Sequence, residues 1–262
     1  MKKWIHPTKL PWLTLGFGGI GLALRFWLVS SADEAELLRT NHPSVILVWL
    51  LTAIFLAAVF LYTRPLEGAG KYRQNFPASL PAALCCWAVA VLVFLSGMGQ
   101  LMDSPNPLGV LAGIFSILAG PCMALAGYHR FKGNRTSFLY HTVLCLAFTG
   151  QILSQYRHWS SSPALQSYCF QMLATIGLML TAYHRAEFDA RLASRRRYAF
   201  VNLATLYLCC LAVPEADSRI YYLVMAAWLF TNLCDLRPAR KRVQPAEAPA
   251  PAEIQEPRQE ES

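Results

Sequence analysis

Eight long apolar runs, separated by short loops, constrain this chain more than any other feature of its sequence. The runs cover residues 10–30, 43–62, 80–101, 108–127, 138–156, 165–184, 199–213 and 220–234. A helix needs about 20 predominantly apolar residues to cross the hydrocarbon core of a bilayer. The sequence therefore predicts an all-α fold, a polytopic transmembrane helix bundle of about eight spans. The last two runs are the shortest, and a single re-entrant hairpin is the alternative interpretation for them.

Lysine and arginine gather in every second loop of this pattern. The basic side carries Lys2, Lys3, Lys9, Arg64, Lys71, Arg73, Arg130, Lys132, Arg135, Arg185, Arg191, Arg195, Arg196, Arg197, Arg237, Arg240, Lys241 and Arg242. The other side carries only Arg39, Arg157 and Arg219 among several acids. Because loops rich in Lys and Arg stay cytoplasmic, we expect a multi-pass protein of the plasma membrane with both termini in the cytoplasm.

The composition agrees with a membrane location. Hydrophobic residues make up 55% of the chain and charged residues 15%, whereas a soluble domain has about 25% charged residues. The net charge of +8 could indicate nucleic-acid binding. Here, however, the cations flank apolar runs, where they contact lipid headgroups. We therefore expect the lipid bilayer, and not nucleic acid, as the partner of these residues.

Two regions follow from the distribution of apolar residues. Residues 1–237 contain all the runs and are expected to form the transmembrane helical domain. Residues 238–262 are rich in proline and glutamate, and this composition predicts a disordered cytoplasmic tail. Small residues at 30–32 leave open that the first run is a cleaved signal peptide. Arg25 interrupts that run and favours a retained span.

Two apolar runs end in nearly the same sequence. Residues 125–130 read Leu-Ala-Gly-Tyr-His-Arg and residues 180–185 read Leu-Thr-Ala-Tyr-His-Arg, at an offset of 185 − 130 = 55. This spacing suggests tandem two-helix hairpin repeats. The alternative is that aromatic and basic residues suit the cytoplasmic end of any membrane helix.

The sequence contains no recognisable motif for catalysis, metal binding or a cofactor. The glycines of residues 16–21 match a dinucleotide-binding pattern only formally, because they lie inside an apolar run and not between a strand and a helix. They are expected to allow close helix packing instead. The eight cysteines lie in or beside apolar runs and are expected to act as small hydrophobes. We therefore expect no cofactor and no metal, and the sequence favours a protein that is not an enzyme.

Acidic residues do not occur deep in any of the apolar runs. This pattern counts against transporters driven by protons or sodium, which usually place carboxylates in the middle of the membrane. The longest basic loop, residues 185–198, contains Glu187 and Asp189. We expect this loop to be a solvated connector, with a short interfacial helix as the alternative.

Two layers of polar residues remain inside the runs. The layer towards the predicted outer face consists of Arg25, Gln100, Gln151, Gln155 and Gln171. The layer nearer the cytoplasm consists of His141, Asn202 and Asn232. Because a charge in hydrocarbon costs about 2.5–3.5 kcal/mol, Arg25 should find a partner, reach the surface or line a wet cavity. We hypothesise that the outer layer forms a ligand-binding vestibule, and that polar contacts between helices explain the inner layer.

The stretch around the sixth run carries a resemblance to known proteins. Ser162 and Pro163 precede that run, Tyr183 lies at its end, and the basic loop leads to Tyr198 and Phe200. In these features the chain resembles uncharacterised bacterial polytopic membrane proteins of about eight spans. The resemblance implies a location in the membrane and transfers no activity and no catalytic residue.

Three classes of function compete at this point. The favoured one is a small-molecule permease or solute-binding membrane component. The alternative is a non-catalytic membrane scaffold or sensor that acts through a membrane or cytoplasmic protein partner, and the basic run Arg195–Arg197 with the free tail supports it. The third, an intramembrane enzyme, lacks an identifiable nucleophile and base, although His141 and the cysteines keep it open.

Overall fold

The computed structural model describes residues 9–30, 43–64, 66, 75–103, 106–159, 165–214 and 219–236. Within these residues the chain forms eight helices. In chain order they are α1 (Leu10–Ser30), α2 (Pro43–Thr63), α3 (Leu80–Asp103), α4 (Pro107–Phe131), α5 (Phe138–Trp159), α6 (Leu165–Ala190), α7 (Arg195–Ala212) and α8 (Arg219–Cys234). Each corresponds to one predicted apolar run, so the all-helical prediction is confirmed. The predicted tail at 238–262 and the small residues at 31 and 32 lie outside the described residues.

Four of the helices, α1 to α4, are long and apolar enough to cross a membrane by length and composition. The other four helices carry more polar residues or are shorter, and α8 has only 16 residues. The apolar helices fit a membrane protein.

Large apolar side chains are exposed on the outer surface of the helices to an extent unusual for a water-soluble protein. Large apolar residues of α2 point outward, and Ile46 is 69% and Leu50 56% exposed. Polar residues such as Thr52, on the same helix, lie inside. Exposed apolar area this extensive is unfavourable in water and is expected where lipid is the solvent. The outer surface of the bundle is therefore suited to hydrocarbon.

Six of the helices form a closed ring. Each of α3 to α8 packs against the next helix in the chain, and α8 packs back against α3. Helices α1 and α2 lie outside this ring, where both contact α7. The middle of the ring is filled by apolar residues, including Val89, Val93, Ala119, Met123, Leu144, Phe148, Leu178, Leu206, Met225, Trp228 and Leu229. The ring thus has an apolar middle and two ends.

Small residues allow the helices of the ring to approach closely. A Cβ added at Gly97 of α3 would lie 2.8 Å from the backbone oxygen of Gly113 in α4. On α1, Gly18 faces Cys210 and Gly21 faces Leu211, both on α7. Gly18 and Gly21 belong to the glycine run at 16–21. The interpretation as a packing surface holds for these two glycines, whereas a Cβ at Gly16 or Gly19 would meet nothing within 4 Å.

The basic segment between the sixth and seventh runs is not a solvated connector, so that prediction is wrong. Helix α6 continues to Ala190, and α7 begins at Arg195, so that only four residues separate them. Phe188 and Asp189 are fully buried. The reason is that Phe188 packs edge-on against Phe76 and Tyr198, which draws the segment into the protein.

Candidate functional site

A cavity of about 550 Å³ opens at one end of the ring, which we call the glutamine end. It is lined by Leu92, Leu95, Ser96, Gln100, Gln151, Gln155, Arg219, Ile220, Tyr221 and Tyr222. These residues belong to the carboxy-terminal halves of α3 and α5 and to the first turn of α8. Because neighbouring helices run in opposite directions, these three ends meet on one side of the bundle. The volume lies within the range of about 300–1,000 Å³ typical of ligand pockets.

Gln151 is a buried polar residue of this cavity and is 3% exposed. Its side-chain oxygen accepts a hydrogen bond from the hydroxyl of Tyr221 at 3.0 Å. Its amide nitrogen lies 3.5 Å from the hydroxyl of Ser116 on α4, a long contact. These contacts connect α5 to α8 and α4 and hold the Gln151 amide in place.

The other two glutamines leave hydrogen-bonding capacity at the cavity wall. The amide nitrogen of Gln100 lies 3.5 Å from the hydroxyl of Ser96 on the same helix. The Oε1 atoms of Gln100 and Gln155 are buried and have no hydrogen-bond partner. A buried acceptor without a donor costs about 1–3 kcal/mol. A molecule in the cavity that supplies N–H or O–H groups would remove this cost.

Gln171 lies next to the cavity without lining it. Its side chain is buried, and its backbone oxygen accepts a hydrogen bond from the Tyr222 hydroxyl at 3.3 Å. The Thr175 hydroxyl lies 3.2 Å from the same Tyr222 oxygen. Gln171 therefore helps to position one cavity residue, and its predicted contact with a ligand stays a prediction.

Arg25 lies away from the cavity lining. Its side chain is 1% exposed, and its guanidinium lies over the ring of Phe170 at 4.9 Å. The indole of Trp49 packs against the same ring, with centroids 5.1 Å apart. The structure thus brings Gln100, Gln151 and Gln155 together, whereas Arg25 sits among aromatic residues near α2 and α6.

The opposite end of the ring, which we call the arginine end, contains a buried carboxylate. The hydroxyl of Thr136 donates to Asp189 Oδ1 at 2.5 Å, and Nδ1 of His141 lies 2.9 Å from Oδ2. The guanidinium of Arg135 donates to the backbone oxygen of Asp189. Since Asp189 is 0% exposed, this network joins the start of α5 to the end of α6.

Two buried arginines meet at one aromatic ring of the arginine end. The guanidinium carbons of Arg130 and Arg185 lie 4.9 and 3.7 Å from the ring centre of Phe76. Arg130 also pairs with Asp235 at 2.7 Å, which ties α4 to the residue after α8. Arg130 and Arg185 are the equivalent positions of the predicted hairpin repeat. Their common contact agrees with that hypothesis, which nevertheless stays a prediction.

The predicted inner polar layer is buried, but its members act differently. The side-chain nitrogens of Asn202 and Asn232 donate to the backbone oxygens four residues earlier, Tyr198 and Trp228, at 2.9 Å each. His141, in contrast, contacts Asp189 on another helix. The prediction that these residues make polar contacts between helices therefore fits His141. The side-chain nitrogens of the two asparagines donate hydrogen bonds within their own helices instead.

Sequence reasoning missed four residues that the structure places at these two ends. Arg219 lay in a loop between runs, Tyr221 lay inside the last run, Phe76 lay between runs, and Asp189 lay in a charged loop. The glutamine layer was a sequence signal for a vestibule, but nothing in the sequence indicated that Arg219 and Tyr221 line it. Among the described residues, no group of three or more His, Cys, Asp or Glu side chains is placed to hold a metal ion.

No protein-family model, curated protein or solved structure matches this chain at a significant level.

Proposed function

We propose that this protein is a multi-pass membrane protein that binds a small polar solute in the cavity at the glutamine end and acts as a permease for it. The observation that carries this proposal is the cavity of about 550 Å³, whose lining includes Gln100 and Gln155, each with a buried side-chain oxygen that lacks a donor. A pocket with a few polar groups among apolar ones orients a ligand through hydrogen bonds, here to donors that the ligand carries.

The construction of the ring supports transport rather than capture alone. Polar groups line both ends, with Gln151 at one and Asp189 with His141 at the other. The buried middle is apolar. Binding sites for solutes in membrane bundles lie between helices whose polar side chains face inward. A change in helix packing that opens the apolar middle would connect the two ends.

The membrane topology belongs to the same proposal. Eight spans in the plasma membrane, with both termini in the cytoplasm, would place the glutamine end outside the cell and the arginine end inside. The alternation of basic loops supports this orientation. The cavity would then receive its solute from the outer face.

The alternative role, a scaffold or sensor, relied on Arg195–Arg197 as a docking surface. In the structure Arg195 is 6% exposed, and the guanidinium of Arg196 lies over the ring of Phe60 at 5.3 Å. Arg197 remains exposed. Because most of this run contacts the protein itself, solute binding is the better supported of the two functions.

Ligand-dependent thermal stability tests the proposal. The full-length protein in mild detergent would be heated with a panel of sugars, polyols, amino acids, organic acids and amines. We expect at least one compound class to raise the unfolding midpoint by several degrees, because a ligand that binds the folded state stabilises it by RT ln(1 + [L]/Kd).

The variant Gln155→Leu should abolish this stabilisation, because it removes an acceptor from the cavity wall. The control is Leu153→Ala, on the outward face of the same helix, where the side chain is 51% exposed. Stabilisation by no member of the panel, or equal stabilisation of Gln155→Leu, would reject the proposed site.

A further inference from the structure

The described lining of the cavity carries one charge. Arg219 is the one charged residue among the described residues that line it, and their remaining polar members are three amides, two phenols and a serine. No carboxylate belongs to this described lining. Here an anionic ligand would meet a favourable charge, whereas a cationic ligand would meet the like charge of Arg219.

The guanidinium of Arg219 has capacity for a further partner. Its described hydrogen bond runs from Nη2 to the backbone oxygen of Pro214 at 3.5 Å, which is long. Arg219 is also the first residue of α8, so the unpaired N–H groups of the first helical turn add partial positive charge on the same side. A planar guanidinium with free N–H groups suits a carboxylate, which it can bind through two oxygens.

The cation and the amide groups differ in how far they are exposed. Arg219 is exposed at the mouth of the cavity, whereas Gln151 is buried and Gln100 and Gln155 are half-buried. The unpaired Oε1 atoms of Gln100 and Gln155 are themselves buried, in contrast to the exposed Arg219. A ligand that satisfies both features carries its acid group at one end and hydrogen-bond donors along its body.

We propose that the cavity takes a small hydroxylated carboxylate, with the acid group at Arg219 and the hydroxyl groups at the oxygens of Gln100 and Gln155. This inference rests on the proposed function and names the chemical class of its solute. The hydroxyls donate to the two acceptors that lack donors, and the Tyr221 and Tyr222 rings flank the carbon chain. A neutral polyol lacks the first contact, and a simple fatty acid lacks the second.

Matched probes test this assignment on the full-length protein in detergent. The probes are glycerate and gluconate, their neutral counterparts glycerol and glucose, the cation glucosamine, and hexanoate as a carboxylate without hydroxyls. Equilibrium binding by calorimetry should show that at least one hydroxy acid binds ten or more times tighter than its neutral counterpart. Hexanoate and glucosamine should bind at least tenfold more weakly than that hydroxy acid.

Variants of Arg219 test whether its guanidinium is the group that recognises the negative charge of the ligand. Arg219→Gln should weaken hydroxy-acid binding about tenfold and leave glucose binding unchanged, and Arg219→Lys should restore part of the loss. The matched control is Arg157→Gln. It removes a cation from the last turn of α5, at the same end of the bundle but outside the cavity lining, and should leave binding unchanged. The unfolding midpoint of each variant shows that it is folded.

The outcomes separate this inference from the proposed function. Tighter binding of glucose or glucosamine than of both hydroxy acids, with loss in Gln155→Leu, would overturn the ligand class and keep the solute site. Equal loss of hydroxy-acid binding in Arg219→Gln and Arg157→Gln would also overturn it, because a general surface charge would then be responsible. Binding of no probe and of no member of the wider panel would overturn both.

Discussion

The burial and the contacts of Asp189 could not be predicted from the sequence. A carboxylate among arginines in a loop has the composition of a solvated segment, and Glu187 beside it does pair locally with His184 at 2.8 Å. The partners of Asp189, Thr136 and His141, lie 53 and 48 residues away. No local pattern indicates such a contact, because only the folded chain brings the two segments together.

The Asp189 network should contribute measurably to stability. We expect Asp189→Asn to lower the free energy of unfolding by roughly 3 kcal/mol, because removal of one partner from a buried charge network leaves the others uncompensated. Thermal unfolding in detergent measures this as a midpoint several degrees lower. Glu187→Gln is the control, and its helical pair with His184 should be worth less than about 1 kcal/mol. Equal midpoints for the two variants would contradict this role of Asp189.

The helices themselves were largely predictable from the sequence. The predicted runs and the observed helices begin within a few residues of one another, since apolar length and the prolines at 43 and 107 define the starts. The ends were less predictable. Helices α4 and α6 continue past the apolar stretch through Arg130 and Arg185. Their charged last turns are stable because the side chains pack on Phe76 instead of facing water.

Close packing of α3 against α4 can be tested with two glycines of one helix. A Cβ at Gly97 would lie 2.8 Å from backbone atoms of α4, whereas a Cβ at Gly99 has nothing within 4 Å. We expect Gly97→Ala to destabilise the protein by about 1–3 kcal/mol through overpacking. Gly99→Ala should be neutral or stabilising by up to about 1 kcal/mol, because alanine favours the helix. Thermal midpoints in detergent distinguish the two, and similar losses would contradict the packing described.

At the scale of the whole molecule, the sequence anticipated a glutamine end with a vestibule and an arginine end, but not the residues of α8 that complete the cavity. The alternation of basic loops assigns each polar residue to one side. The grouping of Gln100, Gln151 and Gln155 followed from that assignment. The ring closure between α8 and α3, which completes the cavity with Arg219 and Tyr221, depends on the packing of helices distant in sequence.

Labelling from outside intact cells tests the proposed orientation. Asn106, before α4, and Asn134, after it, are both exposed and lie at opposite ends of the bundle. We expect Asn106→Cys to react with a membrane-impermeant maleimide in intact cells, and Asn134→Cys to react only after permeabilisation. The parent protein gives the background of its native cysteines. Reversed labelling would invert the topology, and equal labelling of both would contradict a membrane-crossing α4.

The first four helices are the most apolar ones, and this bears on the order in which the helices assemble. Helices α1 to α4 can leave the translocation machinery for lipid on their own apolarity. Helices α5 to α8 carry the buried amides, histidine and carboxylate, whose partners lie on neighbouring helices. We therefore expect the amino-terminal half to enter the bilayer first and to provide much of the surface against which the later-synthesised helices are retained. On this view the ring assembles sequentially, and the cavity is completed only when the last helix docks.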